Sequence, residues 1–188
     1  MEQIKKRCSW CNPNNPLYIQ YHDEEWGKTN LEEGHLFEML FLESFQAGLS
    51  WECILNKREN FRQAFSNFNP YIISQYSQKE VIRLCNEQGI IRNRLKILAA
   101  ISNAKIFLQI EKERGSFKEY LLSFTKGKIF YEYGKTTNAL ADSLSKDLRK
   151  RGMKFVGPTV IYSYLQAVGI IHSHEKGCYL YEGERNLL

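Results

Sequence analysis

Glu43 is a carboxylate set in a largely apolar run. It sits in LFEMLFLESFQAGLSW, residues 36–51. There Leu36, Phe37, Met39, Leu40, Phe41, Leu42, Phe45, Ala47 and Leu49 put apolar side chains nearly all round a helix, the mark of an interior one. A carboxylate between Met39, Leu40 and Ala47 must find a partner, be held neutral, or await a cation. Glu38, nearer the start, stands where a helix dipole favours an anion. Gly48 stops the run and Trp51 follows in the exit turn. An acid and an indole at the mouth of a buried helix suggest a pocket for something flat and positively charged. The competing reading pairs Glu43 with a buried arginine and makes Trp51 part of the core.

The first thirty residues concentrate further chemistry in an irregular stretch. Tyr18, Tyr21, His22 and Trp26 fall within nine residues, after Cys8, Trp10 and Cys11. They suit an arm stapled to a core by its aromatics, and equally a pocket wall. Near the other end, His174 and Cys178 are four apart, a spacing that lets one turn or tight loop ligate a metal. Their partners are either Cys8 with Cys11, a C-x-x-C pair, or Cys8 with His22. Either set clamps the two ends of the chain together, a crosslink worth on the order of 4–5 kcal/mol. Four protein ligands leave no open position, so the metal is structural. His35 and His172 read as ordinary surface or core residues.

A third constellation lies at residues 139–169, ALADSLSKDLRKRGMKFVGPTVIYSYLQAVG. Leu140, Leu144 and Leu148 face inward on a helix that ends at Gly152, with Lys146, Arg149, Lys150 and Arg151 outward. Pro158 opens the next helix. Gly157 lets backbone approach closely, and the amides of Thr159 and Val160 form an anion site at a helix N-terminus. With Lys154 beside them, the natural anion is a nucleic-acid phosphate. An ordinary helical hairpin with a solvated basic face fits the same pattern, and Gln88–Arg94 is a second basic turn.

The remaining elements must position these groups. Helical spacing runs over residues 54–68. Asn69-Pro70 caps a short helix, and Ser77 with Glu80 forms a capping box for another that reaches Asn86. A long helix follows from near Ile91 to about Glu113, and Ser116 with Glu119 opens one reaching Thr125. KIFYEYGK, within residues 126–137, is a lone short strand or a loop, with no partner strand evident. No stretch alternates with period two and nothing repeats, so the fold is all-helical. Short connections predict a single domain over residues 1–188.

Composition bounds the function. The chain has 188 residues, a formal charge of +5 and a pI near 8.9, which permits an acidic partner without requiring one. The charged opening MEQIKKRC and the absence of a long apolar run predict a cytoplasmic protein with no membrane contact. Five cysteines in such a chain argue against a disulfide framework.

Taken together, RCSW, YHDEEWG, LFEMLFLESFQAGLSW, KRENFRQAF, GIIRNRLKI, the hairpin stretch and the terminal H-x-x-x-C cover essentially the whole chain. In them the sequence resembles the type I 3-methyladenine DNA glycosylases, bacterial base-excision repair enzymes of the helix-hairpin-helix superfamily. The resemblance implies an all-α, two-lobed fold and a structural Zn2+ held by Cys8, His22, His174 and Cys178. It implies a base pocket using Glu43, Tyr21 and Trp51, with Tyr18 and Trp10 nearby, and Phe45 as a variable part of its wall. The expected substrate is alkylated double-stranded DNA and the product free 3-methyladenine. Superfamily relatives carry a catalytic aspartate beyond the hairpin, where this chain reads GIIHSHEKG. That implies hydrolysis without a Schiff-base lysine and without strand cleavage, by a monomer. A non-catalytic, zinc-stabilised DNA-binding module and a zinc-stabilised interaction protein are the alternatives.

Overall fold

The computed structural model describes residues 5–183, so residues 1–4 of the charged opening stretch lie outside the described range. In chain order the helices are α1 (Pro16–Glu24), α2 (Glu33–Gln46), α3 (Trp51–Leu55), α4 (Arg58–Ala64), α5 (Pro70–Ile73), α6 (Gln78–Asn86), α7 (Arg94–Arg114), α8 (Phe117–Thr125), α9 (Ala139–Lys150) and α10 (Pro158–Ala167). Their starts follow local chemistry. Asn15, Asn69, Asn93, Ser116 and Asn138 each accept backbone amides as N-caps, and Ser77 and Glu80 complete the capping box. Pro158 occupies the first turn of α10.

Helix α2 is the axis. Every residue from Leu36 to Phe45 is buried, because α7 and α8 cover one side, α3 another and α10 a third. Helices α5 and α6 lean on α7, while α9 packs against α10. The helices therefore gather into two groups with α2 between them. At the start of α2, Glu33 accepts the amides of Phe117 and Lys118 at 3.0 and 2.9 Å, supplying the anion that the N-terminus of α8 favours.

Four details depart from the sequence reading. The helix expected over residues 54–68 is broken into α3, α4 and a 3-10 turn at Ser66–Phe68, where Ser66, Asn67 and Phe68 all have positive φ. KIFYEYGK does have a partner: Phe130–Tyr131 (β1) pairs in parallel with Ile171–His172 (β2), a two-residue bridge too short for sequence alternation to reveal. Leu140 is only half-buried. Phe45 lies in the aromatic core, stacked on Phe41 at 4.8 Å and edge-on to Phe61 at 4.8 Å.

The N-terminal arm is tied across the end of α10. The Gly27 amide donates to the Gln166 carbonyl and Asn30 to Val168, both at 3.1 Å. Gly169, at φ +71°, lies so close that a Cβ there would stand 2.3 Å from the Lys28 carbonyl carbon and the Thr29 nitrogen. Only glycine fits this crossing. No helix among the described residues is long and apolar enough to cross a membrane.

Candidate active site

Two of the three acids on α2, Glu38 and Glu43, have different fates. They are five residues apart, about 140° around the helix, and so face opposite surroundings. Glu38 is the paired one: Arg58 donates to it at 2.7 Å and Arg62 at 2.6 Å, while Arg58 also grips both oxygens of Glu25 at 2.6 and 2.9 Å. Glu43 has no such neighbour. It is 3% exposed, and its Oε2 has no hydrogen-bond partner among the described residues. Burial pushes its carboxyl up to about 8, so at neutral pH it holds its proton.

Glu43 opens into a cavity of about 400 Å³. Trp10, Tyr18, Tyr21, Trp26 and Trp51 supply its aromatic surface; Gln46, Ser163, Gln166, Ser173 and Glu175 add polar groups, and Tyr133 with Gly134 forms part of the rim. Tyr21 and Trp51 meet with ring centroids 5.1 Å apart, Trp10 and Tyr18 at 5.4 Å. The indole nitrogen of Trp51 is buried and, like Glu43 Oε2, unpartnered. Burial pushes the Tyr18 phenol up to about 12 and raises that of Tyr21 as well, so both are neutral faces. A buried acceptor and a buried donor, both unused and both in one cavity, mark a place shaped for a ligand that satisfies them.

Beside this cavity Cys8, His22, His174 and Cys178 converge, their donor atoms all within 4.8 Å of one another. Cys8 Sγ lies 3.5 Å from His174 Nδ1, and Cys178 Sγ lies 3.5 Å from His22 Nε2 and 3.6 Å from His174 Nδ1. A tetrahedral ion with sulfur bonds of about 2.3 Å and nitrogen bonds of about 2.0 Å has sulfur–nitrogen edges of about 3.5 Å, so the donor set fits one metal. Supporting contacts are present too. Asp23, held by Arg7 at 2.8 and 2.7 Å, contacts His22 Nδ1 at 2.8 Å and so turns Nε2 toward the cluster, where it accepts the Cys8 amide at 3.2 Å. The amides of Glu175 and Leu180 point at Cys8 and Cys178 sulfur, each at 3.4 Å. Cys11 does not join them; its sulfur faces the Tyr18 carbonyl at 3.6 Å. Of the two ligand sets open from spacing, the one with His22 is brought together. His22 and His174 also pack against Trp10 and Trp26, with centroids 5.2 and 4.7 Å apart, so the Cys/His cluster backs the aromatic wall.

The hairpin between α9 and α10 forms an open groove of about 710 Å³ lined by Lys146, Arg149, Lys150, Lys154, Phe155, Gly157 and Pro158. Gly157 has an ordinary φ of −64°, and a Cβ there would meet nothing within 4 Å. The fold itself therefore does not demand a glycine at this position.

The match to known proteins decides the family. The family model described as methyladenine glycosylase matches residues 10–181. The chain belongs to the methyladenine glycosylase family. DNA-3-methyladenine glycosylase 1 of Escherichia coli (strain K12) is 43% identical over 187 residues, covering 96% of this chain and 99% of that protein. A crystal structure of 3-methyladenine DNA glycosylase I superposes with a TM-score of 0.89 at 43% identity, covering 94% of this chain and 100% of that one. The Staphylococcus aureus enzyme, solved to explain 3-methyladenine recognition, gives a TM-score of 0.89 at 35% identity over 95% of this chain and 98% of its own. This methyladenine glycosylase thus has the all-helical fold of its relatives.

Several lining residues of the cavity escape a sequence reading. Gln46 is three residues beyond Glu43 on the same helix face, and Ser163 and Gln166 share a face of α10; helical spacing points to them once their helices are known to border a cavity. Ser173, Tyr133 and Gly134 come from segments joined by the two-residue bridge, and nothing local signals them.

Proposed function

We infer that this chain is a DNA-3-methyladenine glycosylase, a hydrolase that releases 3-methyladenine from alkylated DNA. The observation that carries the assignment of the site is Glu43, a buried and unpartnered acid in an aromatic cavity large enough for a purine. A non-catalytic hairpin module would have no use for such a cavity.

An enzyme acting on a base inside a duplex must first take it out of the stack. The proposed course begins with Lys154, Gly157 and Thr159 holding backbone phosphates at the hairpin. The glycine's open surroundings suit a phosphate approaching from outside the protein. The extruded base then stands against Trp51 and Tyr21, with Tyr18 and Trp10 completing the wall. N3-methylation makes the adenine cationic, so the electron-rich rings attract it. The cation also draws Glu43 into its ionised form, which accepts a hydrogen bond from the base and balances its charge. Because the base leaves as a neutral molecule, no strong general acid is required. As the bond breaks, positive charge passes to the sugar, where DNA phosphates and Glu43 oppose it and water completes hydrolysis. The neutral product no longer stabilises a buried anion, so Glu43 recovers its proton as 3-methyladenine departs. No lysine lines the cavity among the described residues, which supports a monofunctional reaction with no Schiff base and no strand cleavage.

The metal at Cys8, His22, His174 and Cys178 is Zn2+ on this reading, in a structural role that holds the N- and C-terminal segments together. The reading extends to one domain over residues 1–188, with the hairpin at 139–169, acting as a monomer in the cytoplasm, where bacterial DNA lies. The deciding test is incubation of the protein with methylated duplex DNA and chromatography of the released bases. Free 3-methyladenine with the strands intact is the expected result; intact alkylated DNA would overturn the assignment, and nicked strands would overturn its monofunctional part.

A further inference from the structure

The long helix α7 carries two buried polar side chains that the reaction does not use. Lys96, in its first turn, is only 6% exposed. Its ammonium donates to the carbonyls of Phe45 and Ala47, both at 2.7 Å. Those carbonyls are the end of α2. The Gln46 carbonyl between them already accepts the Leu49 amide, and Gly48 at φ +79° provides the turn. Burying an ammonium is costly, and this one fixes the backbone that leads from Glu43 and Gln46 to Trp51. Asn103 lies seven residues on, two helical turns and about 10 Å along the same face. It is 5% exposed, donates to the Lys154 carbonyl at 2.9 Å and accepts the Lys154 amide at 2.9 Å. Phe155 follows at φ +54°, its ring centroid 5.9 Å from the Lys96 nitrogen.

One rigid helix therefore grips the base pocket at one point and the hairpin at another. We propose that Lys96 and Asn103 are positioning residues that set the spacing between the hairpin and the base pocket. They bring a phosphate-anchored nucleotide into the cavity with its glycosidic bond in register. This rests on the reading of the hairpin as the DNA grip and of the cavity as the base site. The physical reason is that reaction rate, more than binding, depends on sub-ångström placement: an error of about 1 Å costs as much as 10²-fold.

The test compares wild type with Asn103→Ala, Lys96→Met, the double variant and Lys96→Arg. Steady-state excision is measured on methylated duplex, and affinity for free 3-methyladenine by quenching of the pocket tryptophans. Each single loss is expected to lower kcat about tenfold or more while KM and free-base affinity stay within about twofold. The double variant is expected to fall no further than the worse single one, because both act on one spacing. Lys96→Arg keeps a charged donor and is expected to recover most of kcat. Should Asn103→Ala melt below the assay temperature, Asn103→Asp, which keeps the acceptor for the Lys154 amide, carries the same measurement. Unchanged kcat in the single variants, or a fall matched by equal loss of free-base affinity, overturns the proposal. An inactive wild type would instead count against the function itself, so the two failures are distinguishable.

Discussion

Glu43 is stable where it is only at a cost, and that cost has a pH signature. Its carboxyl moves from an ordinary 4.5 up to about 8 on burial, so between those values the folded chain holds a proton that the unfolded chain has released. Stability therefore falls with rising pH across that window, by on the order of 5 kcal/mol. Glu43→Gln should remove the slope, and thermal melts from pH 4.5 to 8 would show the variant gaining most at the alkaline end. Activity should move the opposite way. The cationic base needs the ionised acid, and the neighbouring Tyr18 and Tyr21 remain neutral. Thus kcat/KM on methylated duplex should climb about tenfold per pH unit below about 8 and level off above it. In Glu43→Gln the profile should be flat, with release at pH 8 lower by on the order of 10²-fold and duplex affinity nearly unchanged. Equal loss of release and duplex binding would mean that Glu43 is a structural residue.

At the scale of elements, the helix starts were legible because they are local. Ser77 with Glu80, Asn69 before Pro70 and Pro158 after Gly157 each carry their own instructions within four residues. The fates of Glu38 and Glu43 on α2 were not legible. Whether Arg58 reaches Glu38 or Glu43 depends on how α4 leans across α2, which no spacing along either helix encodes. The broken helix over residues 54–68 has the same origin, since its apolar spacing survives the left-handed turn at Ser66–Phe68. The hairpin yields a prediction of its own. Gly157→Ala meets no atom of the fold and keeps an allowed φ, so its Tm should match or slightly exceed wild type. Its affinity for duplex DNA, followed by fluorescence anisotropy, should nevertheless fall several-fold while affinity for free 3-methyladenine holds. Loss of free-base affinity instead would show that the hairpin serves the pocket rather than the phosphates.

At the scale of the whole molecule, two devices join distant parts of the chain. Gly169 admits residues 28 and 29 at distances no side chain allows. Gly169→Ala should cost on the order of 3 kcal/mol from overpacking plus positive-φ strain, a Tm loss of roughly 6–12 °C by calorimetry. Removal of the metal proposed at Cys8, His22, His174 and Cys178 should act more broadly. Losing a crosslink worth about 4–5 kcal/mol predicts a Tm lower by roughly 10–20 °C after chelation. Because Trp10 and Trp26 pack on His22 and His174, affinity for the free base should fall with it, and zinc should restore both. The cluster also has a bearing on synthesis. Cys8, Trp10, Tyr21 and His22 leave the ribosome well before His174 and Cys178, which follow the hairpin of residues 139–169. A chain interrupted between the hairpin and His174 cannot assemble the cluster that backs the aromatic wall. Such a fragment should release no methylated base, so the competence to break a sugar–base bond arrives only once His174 and Cys178 have been added.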